Sequence, residues 1–223
     1  MTWSEVFQST RHRWALAFCV VMALVTFLYM PTYYQEVIQP KPGTYPWDPL
    51  LARLTPLDWS IPIFIILYLS VIQTLGMSYR KPSILLSGLT TYCAVNLLRM
   101  ATMYTITFEP PQDMILLIDP IASFIVYPDN TFAKDLFFSG HVSTMMVLML
   151  VEENPWATRL KAAGTFLVGL FLAWQHVHYT LDLVVAPFVT YGLYRIISMW
   201  LEPLPVTEAD LDIRTPAKNP LGR

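Results

Sequence analysis

The sequence predicts an all-α membrane protein, a bundle of six transmembrane helices. Of its 223 residues, 55% are hydrophobic and 13% are charged, and the mean hydropathy is +0.46. Soluble domains carry about 25% charged residues, so this composition excludes an ordinary soluble fold. Six apolar runs approach the ~20 residues that a helix needs to cross a bilayer. They are Trp14 to Met30, Trp59 to Tyr79, Pro82 to Leu98 with a continuation to Thr107, and, approximately, Leu136 to Val151, Ala162 to Thr180 and Asp182 to Trp200.

Lysine and arginine residues predict the orientation of these spans. The positive-inside rule places the loops richest in Lys and Arg in the cytoplasm. Basic residues precede span one, join spans two and three, join spans four and five, and follow or flank span six. They are Arg11, Arg13, Arg80, Lys81, Arg159, Lys161, Arg195, Arg214, Lys218 and Arg223. Both termini are therefore expected in the cytoplasm. The opposite, non-cytoplasmic face (periplasmic, luminal or extracellular) then receives His141, His178, Asp182 and Arg99.

The chain divides into one membrane domain and two short flanks. Residues 1–13 are expected to form a cytoplasmic segment, in which Trp3, Val6 and Phe7 among polar neighbours favour an interfacial helix. The six spans occupy residues 14–201. Residues 202–223, rich in proline and acidic residues, predict a flexible cytoplasmic tail. The net charge of −2 offers no basic face for nucleic acid, so the expected surroundings are lipid.

The long connection from Thr107 to Asp135 contains a short uncharged apolar stretch, Ile121 to Tyr127. The stretch is too short to cross a bilayer. Two interpretations are open. One is an interfacial or re-entrant segment that covers a site, and the other is a hydrophobic plug against the bundle.

Two short sequences contain the candidate chemistry. Ser139-Gly140-His141 opens span four, and the segment from His178 to Asp182 joins spans five and six. Ionisable groups at the membrane are costly to keep there, so they indicate a function. His178 and Asp182 are four residues apart, so they lie on the same face of a helix if helical geometry persists between them. A carboxylate beside one imidazole nitrogen fixes the tautomer and leaves the other nitrogen as a nucleophile or base.

Four neighbouring residues have expected roles that follow from their side chains. Gly140 permits a close backbone approach, and Ser139 offers a hydroxyl and a backbone N–H to an anion. Arg99 lies in the outer half of span three, where it would take part in a site, snorkel to the interface, or pair with an acidic residue, Glu109 or Asp113. Asp135 is expected to cap the start of span four, because Asp favours helix N-termini, with an action on a histidine as the alternative.

These motifs resemble the type 2 phosphatidic acid phosphatase superfamily, and most closely its sphingomyelin synthase branch. The resemblance rests on the segments from Asp135 to His141 and from His178 to Asp182. The segment from Arg99 to Pro110 adds a further match, and Pro56-Leu57-Asp58 adds a weak one. The phosphatase branch has an arginine six residues before its second histidine, and this chain has Leu172 there. That difference favours the synthase branch.

The resemblance implies a lipid phosphotransferase of sphingolipid metabolism. Such an enzyme would move a phosphocholine or phosphoethanolamine headgroup from a glycerophospholipid to a hydroxyl lipid such as ceramide. By this resemblance, His178 attacks the phosphorus to form a phosphohistidine, Asp182 orients it, and His141 protonates the departing oxygen and later deprotonates the acceptor. The scheme requires no metal and no cofactor. The residues implied to lie around the phosphate are Arg99, Ser139, Gly140, Tyr179 and Asp135.

Two alternative functions use the same residues. A lipid phosphatase or a phospholipase C-type hydrolase would give the phosphohistidine to water. A non-catalytic or metal-binding membrane protein would use His141, His178 and Asp182 as ligands, although the sequence contains no short zinc motif such as His-Glu-x-x-His.

Overall fold

Helices form most of the protein in the computed structural model, which describes residues 3–79, 81–120 and 133–202. No β-strand occurs within these ranges, apart from one isolated bridge between Thr44 and Phe108, so the all-α prediction is confirmed. The α-helices are α1 (Trp3–Gln8), α2 (Thr10–Leu28), α3 (Met30–Thr32), α4 (Ser60–Ser78), α5 (Pro82–Thr105), α6 (Gly140–Leu150), α7 (Pro155–Trp174) and α8 (Thr180–Leu201).

Some predictions fall outside the described residues. These predictions concern the apolar stretch from Ile121 to Tyr127, the tail from residue 203 onward, and Arg80. Between α3 and α4, the described chain forms a π-helical segment, Tyr33–Ile38, and a 3-10 turn, Leu51–Arg53.

Four helices, α2, α4, α5 and α8, are long and apolar enough to cross a membrane by length and composition. Helix α7 has 20 residues, but Arg159 and Lys161 near its start reduce its apolarity. Helix α6 is apolar but has only 11 residues, about half the length that a bilayer core requires. The prediction of several membrane-crossing helices is therefore supported, whereas the count of six spans is not confirmed.

The outward faces of these helices carry large apolar side chains. Phe27 on α2, Ile61 on α4, Phe166 on α7 and Phe188 on α8 are each more than two-thirds exposed. Soluble proteins rarely expose large continuous apolar surfaces. This distribution is the one expected of helices that face lipid.

The end of α7 differs from the predicted end of span five. The helix stops at Trp174, and His176 has a φ of 57°, in the left-handed region. The N–H of His176 donates to the carbonyl of Ala173, and the N–H of Val177 donates to that of Leu172. This is the Schellman pattern that ends a helix. The prediction that span five contains His176 and His178 is therefore wrong, because both lie in the connector to α8.

Helix α6 forms the centre of the bundle and packs against α4, α5, α7 and α8. Its buried side chains Val142 and Met145 meet Val168 and Leu172 of α7 and Ala186 of α8. The predicted helical start at Leu136 is wrong, since α6 begins at Gly140. His141 nevertheless opens this helix, as predicted.

The start of α2 and the end of α8 meet at one end of the bundle. Nη1 of Arg11 donates to the carbonyls of Trp200 (3.3 Å) and Glu202 (3.2 Å). Helix α2 therefore begins where α8 ends. The first turns of α6 and α8 lie at the opposite end, and the polar residues of interest collect there.

Candidate active site

Helices α6 and α8 begin side by side. The N–H of Ser139 donates to the carbonyl of Asp182 (3.2 Å), which joins the two helix starts. Ser139 is also the N-cap of α6, because its hydroxyl accepts the N–H of Val142 (3.4 Å). The backbone N–H and the hydroxyl predicted to bind an anion thus both have partners within the protein. Ser139 positions the site by holding these two turns together.

His178 and Asp182 meet although no helix connects them. Nδ1 of His178 lies 3.4 Å from Oδ2 of Asp182, and both side chains are buried. The contact lacks hydrogen-bond geometry, and neither His178 Nδ1 nor Asp182 Oδ1 has a hydrogen-bond partner in the described part of the chain. Oδ2 of Asp182 accepts the N–H of Tyr179 (3.1 Å). A carboxylate so close to Nδ1 favours a proton there and leaves Nε2 as the basic nitrogen.

His141 lies in the first turn of α6 and is half-buried. Its ring meets the ring of Phe64 on α4 edge-on, with 5.7 Å between the centroids. Its Nδ1 is buried and has no hydrogen-bond partner among residues 3–79, 81–120 and 133–202. The second histidine is therefore oriented by packing.

Arg99 is anchored at the cavity that His141 also lines. Its Nε donates to the carbonyl of Phe138 (2.7 Å), and its Nη2 pairs with Oδ1 of Asp135. The hydroxyl of Tyr34 donates to the same oxygen of Asp135 (2.7 Å). The prediction that Asp135 caps α6 is wrong, because Ser139 is the cap. Asp135 instead holds the guanidinium in place.

The carboxyl of Asp135 is stabilised in its ionised form. Burial by itself raises the pKa of Asp135, but the Arg99 guanidinium and the Tyr34 hydroxyl outweigh that effect and hold the pKa below its ordinary range. Asp135, Arg99 and His141 line one cavity, and the hydrogen bond from Ser139 to Asp182 joins the two helix starts, so the predicted residues lie in one region of the bundle.

Glu109 and Tyr179 belong to a neighbouring polar cluster. Glu109 pairs with Lys134 (2.8 Å) and not with Arg99, so it is not the acidic partner that the sequence proposed for Arg99. The hydroxyl of Tyr179 donates to the carbonyl of Glu109 (3.0 Å). Tyr179 thus fastens the connector that carries His178 to the loop after α5.

Gly140 allows the guanidinium of Arg99 to lie against the backbone of α6. A Cβ at this position would be 2.5 Å from Nη1 and 2.7 Å from Cζ of Arg99. Such distances lie well inside van der Waals contact. The close approach predicted for Gly140 is present, and its neighbour is the cationic side chain.

A cavity of about 440 Å³ opens beside these residues. Arg99, Asp135, Gly140 and His141 line it, whereas His178 is 1% exposed and is not part of its lining. A molecule in the cavity would therefore contact His141 and Arg99 and not His178. The other lining residues are Phe64, Leu67 and Val71 of α4, Tyr92 and Asn96 of α5, Thr144 of α6 and the loop residue Asp119.

Two polar residues near the site were not identified from the sequence. Asp48 accepts the N–H and the hydroxyl of Thr180, at 2.6 and 3.0 Å, between His178 and Asp182. Gln175 accepts the N–H of Trp59 (2.8 Å) with its side-chain oxygen. Both contacts join residues more than 100 positions apart, so no local pattern in the sequence could indicate them.

The described residues contain no preformed site that would support the metal-binding alternative. Within them, no group of three or more His, Cys, Asp and Glu side chains is arranged to hold a metal ion.

Comparisons with known proteins identify no family for this chain. No family model matches the sequence, and no curated protein matches it significantly.

Proposed function

We propose that the protein is an integral membrane lipid phosphotransferase that moves a phospho-headgroup from a glycerophospholipid to a hydroxyl lipid. The observation that carries this proposal is the arrangement of two histidines at adjacent helix starts. His178 lies buried 3.4 Å from Asp182, and His141 lines the cavity that also holds Arg99. Phosphoryl transfer through a histidine requires a nucleophile, a carboxylate that orients it, an acid/base and a cation.

In the first step, the lone pair on Nε2 of His178 attacks the phosphorus of the donor lipid. A bond forms between Nε2 and phosphorus, and the bond from phosphorus to the diacylglycerol oxygen breaks. His141, in its imidazolium form, gives its proton to the departing oxygen. Asp182 stabilises the positive charge that develops on the ring of His178.

In the second step, His141 is neutral and acts as a base. It takes the proton from the acceptor hydroxyl, the acceptor oxygen attacks the phosphorus, and the bond between nitrogen and phosphorus breaks. His178 regains its lone pair and His141 regains its proton, so the cycle closes.

The negative charge of the transferring group has two sources of stabilisation. Nη1 of Arg99 lies against Gly140 at the start of α6. The first backbone N–H groups of a helix have no intrahelical acceptor and attract anions. A phosphate beside Gly140 and His141 would therefore meet both the guanidinium and the helix N-terminus.

One wall of the cavity suits a lipid acceptor. Phe64, Leu67 and Val71 present an apolar stripe along α4, opposite a lining that is mostly polar. Hydrocarbon packed on this wall would exclude water from the reacting centre and protect a phosphohistidine from hydrolysis. By the charge pattern of the loops, we place this site at the non-cytoplasmic face.

A transfer assay in liposomes tests the proposal. The purified protein receives a headgroup-labelled glycerophospholipid, with and without ceramide or diacylglycerol. Label in a new lipid only when the acceptor is present supports transfer. Release of free phosphate or phosphoalcohol without regard to acceptor indicates the hydrolase instead.

Three variants test the roles of the histidines. His178→Ala and His141→Ala are each expected to lower the transfer rate roughly a thousandfold, since a nucleophile and its acid/base partner act as a unit. His176→Asn is the matched control, because it changes a buried neighbouring histidine and Asn tolerates the left-handed conformation. Full activity of His178→Ala would exclude the phosphohistidine.

A further inference from the structure

An aromatic loop with an uncharged outer surface lies at the end of the bundle where α6 and α8 begin. In the segment from Pro42 to Leu50 the single charged residue is Asp48, and its carboxylate is turned inward to the start of α8. Trp47 and Tyr45 are 87% and 63% exposed. Neighbouring large apolar groups that a protein leaves exposed indicate an interaction surface.

The loop is fastened to the bundle on both sides of its exposed part. The N–H of Thr44 donates to the carbonyl of Thr107 (3.1 Å), and the N–H of Glu109 donates to that of Thr44 (2.9 Å), next to the end of α5. Asp48 accepts the N–H and the hydroxyl of Thr180, the first residue of α8. The residues between these two attachments, 45–47, therefore form a short outward bulge.

The bulge adjoins the lipid-facing surface of α8. Leu181, Val184 and Phe188 are each at least half exposed, and their spacing of three and four residues places them on one face of this helix. Helix α8 is long and apolar enough to cross a membrane. The exposed row begins directly after Thr180, the residue to which the bulge is fastened. The lipid-facing surface and the bulge therefore lie next to each other.

The chemistry of the bulge fits the boundary between lipid and water. Tryptophan and tyrosine concentrate there, because the ring is apolar and its N–H or O–H stays hydrated. We propose that the bulge is a membrane anchor, which inserts the rings of Tyr45 and Trp47 into the headgroup region of the leaflet at this end of the bundle. Its partner is the lipid surface and not a second protein. The anchor does not depend on the reaction, and a hydrolase or a non-catalytic protein would have it as well.

The anchor also affects the turn that carries His178. Trp47 and Asp48 are consecutive, and a proline stands on each side of this pair. Proline fixes its own φ, so the bulge has little freedom to absorb a movement of Trp47. Contact of Trp47 with lipid should therefore keep Asp48 bonded to Thr180 and reduce local opening of the turn.

Spin-label depth measurements in liposomes test the anchor without turnover. Nitroxides are attached one at a time to full-length Trp47→Cys, Tyr45→Cys, Asp113→Cys and Phe188→Cys, and Trp47 is retained in the Tyr45 variant. Oxygen concentrates in hydrocarbon and a nickel chelate in water, so the ratio of their collision rates reports depth. We expect the labels at Tyr45 and Trp47 to lie deeper than the label at Asp113, an exposed acid in the loop after α5, and shallower than the label at Phe188.

Two results would overturn the anchor. Labels at Tyr45 and Trp47 that meet the nickel chelate as often as the label at Asp113 would place the bulge in water. Labels protected from both reagents would mean that protein, such as a second copy of the chain, covers the bulge. The unsubstituted chain, labelled in parallel, measures any reaction of the buried Cys19 and Cys93.

Hydrogen exchange in liposomes tests the effect on the turn. In Trp47→Ser, the amide hydrogens of residues 179–183 should exchange severalfold faster than in the unsubstituted protein, because local opening is more frequent. Trp47→Tyr keeps an interfacial ring and should restore slow exchange. Trp156→Ser is the matched control, since Trp156 is an exposed tryptophan at the start of α7, at the opposite end of the bundle. Equal exchange in Trp47→Ser and the unsubstituted protein would reject the effect on the turn.

Discussion

Asp48 holds Thr180 through two hydrogen bonds across 132 positions of the sequence. Its Oδ2 accepts the N–H of Thr180 at 2.6 Å, and its Oδ1 accepts the hydroxyl at 3.0 Å. Thr180 opens α8 and stands between His178 and Asp182. A loop that precedes α4 therefore fixes the turn that presents the proposed nucleophile.

Replacing Asp48 should loosen this turn. Asp48→Ala removes both acceptors, and we expect a loss of about 1–2 kcal/mol in unfolding free energy, as for other helix-start acceptors. The transfer rate should fall with little change in KM, because His178 is less well placed and the cavity lining is unaltered. Thermal unfolding and steady-state kinetics measure the two effects. Asp58→Ala is the control, since Asp58 accepts the N–H of Ser60 at the start of α4 and thus also holds a helix start. Equal kinetic losses in both variants would contradict a specific role for Asp48.

Acid should destabilise the protein through Asp48 and Asp135. Burial raises the pKa of Asp48, but hydrogen bonds from Thr180, Leu50 and Leu51 outweigh it and hold the pKa below the ordinary 3.8. The pKa of Asp135 is also depressed. A carboxyl with a lowered folded-state pKa contributes stability above its unfolded pKa, and that stability is lost as the pH falls through the folded value. We expect the melting temperature to change little from pH 7 to about 5 through these groups and to fall below about pH 4. In Asp48→Asn the melting temperature should fall less steeply with decreasing pH. An identical slope in that variant would refute the contribution of Asp48 to the acid sensitivity.

A methyl group at position 140 should disturb Arg99. In Gly140→Ala the new Cβ would lie 2.5 Å from Nη1, and the guanidinium cannot retreat freely because Phe138 and Asp135 hold it. We expect a fall in transfer rate of roughly tenfold or more, since a displacement of about 1 Å at a reacting centre is costly. Gly76→Ala is the matched control. An added Cβ there has nothing within 4 Å, and the change should stabilise α4 slightly. Normal activity in Gly140→Ala would show that the position of Arg99 does not matter.

The buried pair Lys161–Glu152 should stabilise the end of the bundle opposite the histidines. Their side chains are 4% and 1% exposed, and Nζ of Lys161 also donates to the hydroxyl of Thr74 (2.6 Å). Lys161→Met removes the counter-ion of this buried carboxylate, which then keeps the hydrogen bonds from the Gln73 amide and the Asn154 N–H, and we expect a cost of about 3 kcal/mol. The double variant with Glu152→Leu should recover part of this loss, as measured by thermal unfolding.

An exposed pair nearby provides the control. Lys81 pairs with Glu153, and both side chains are about half exposed. Lys81→Met should therefore change the unfolding free energy by less than about 1 kcal/mol. Similar melting temperatures for Lys81→Met and Lys161→Met would mean that burial of the second pair has no energetic effect.

Composition and apolar runs in the sequence were sufficient to predict an all-α membrane protein. The span predicted from Trp59 to Tyr79 is the helix Ser60–Ser78, because an uninterrupted apolar run between polar loops has only one helical solution in a bilayer. The two histidine motifs also indicated a site, since ionisable side chains are expensive at such positions. These patterns can be recognised from the sequence because each consists of residues that are close together along the chain.

Only the tertiary structure decided how the site is held. The Schellman turn at His176 ends α7 before His178, so a non-helical connector brings this histidine to Asp182. Asp135 pairs with Arg99 and Tyr34, the latter 101 positions away, instead of capping the nearby helix. Hydrogen bonds and ion pairs form between groups that packing brings together, and residue periodicity does not encode which distant partners will meet. The sequence by itself therefore determined the class of protein and the candidate site residues, and packing determined their partners.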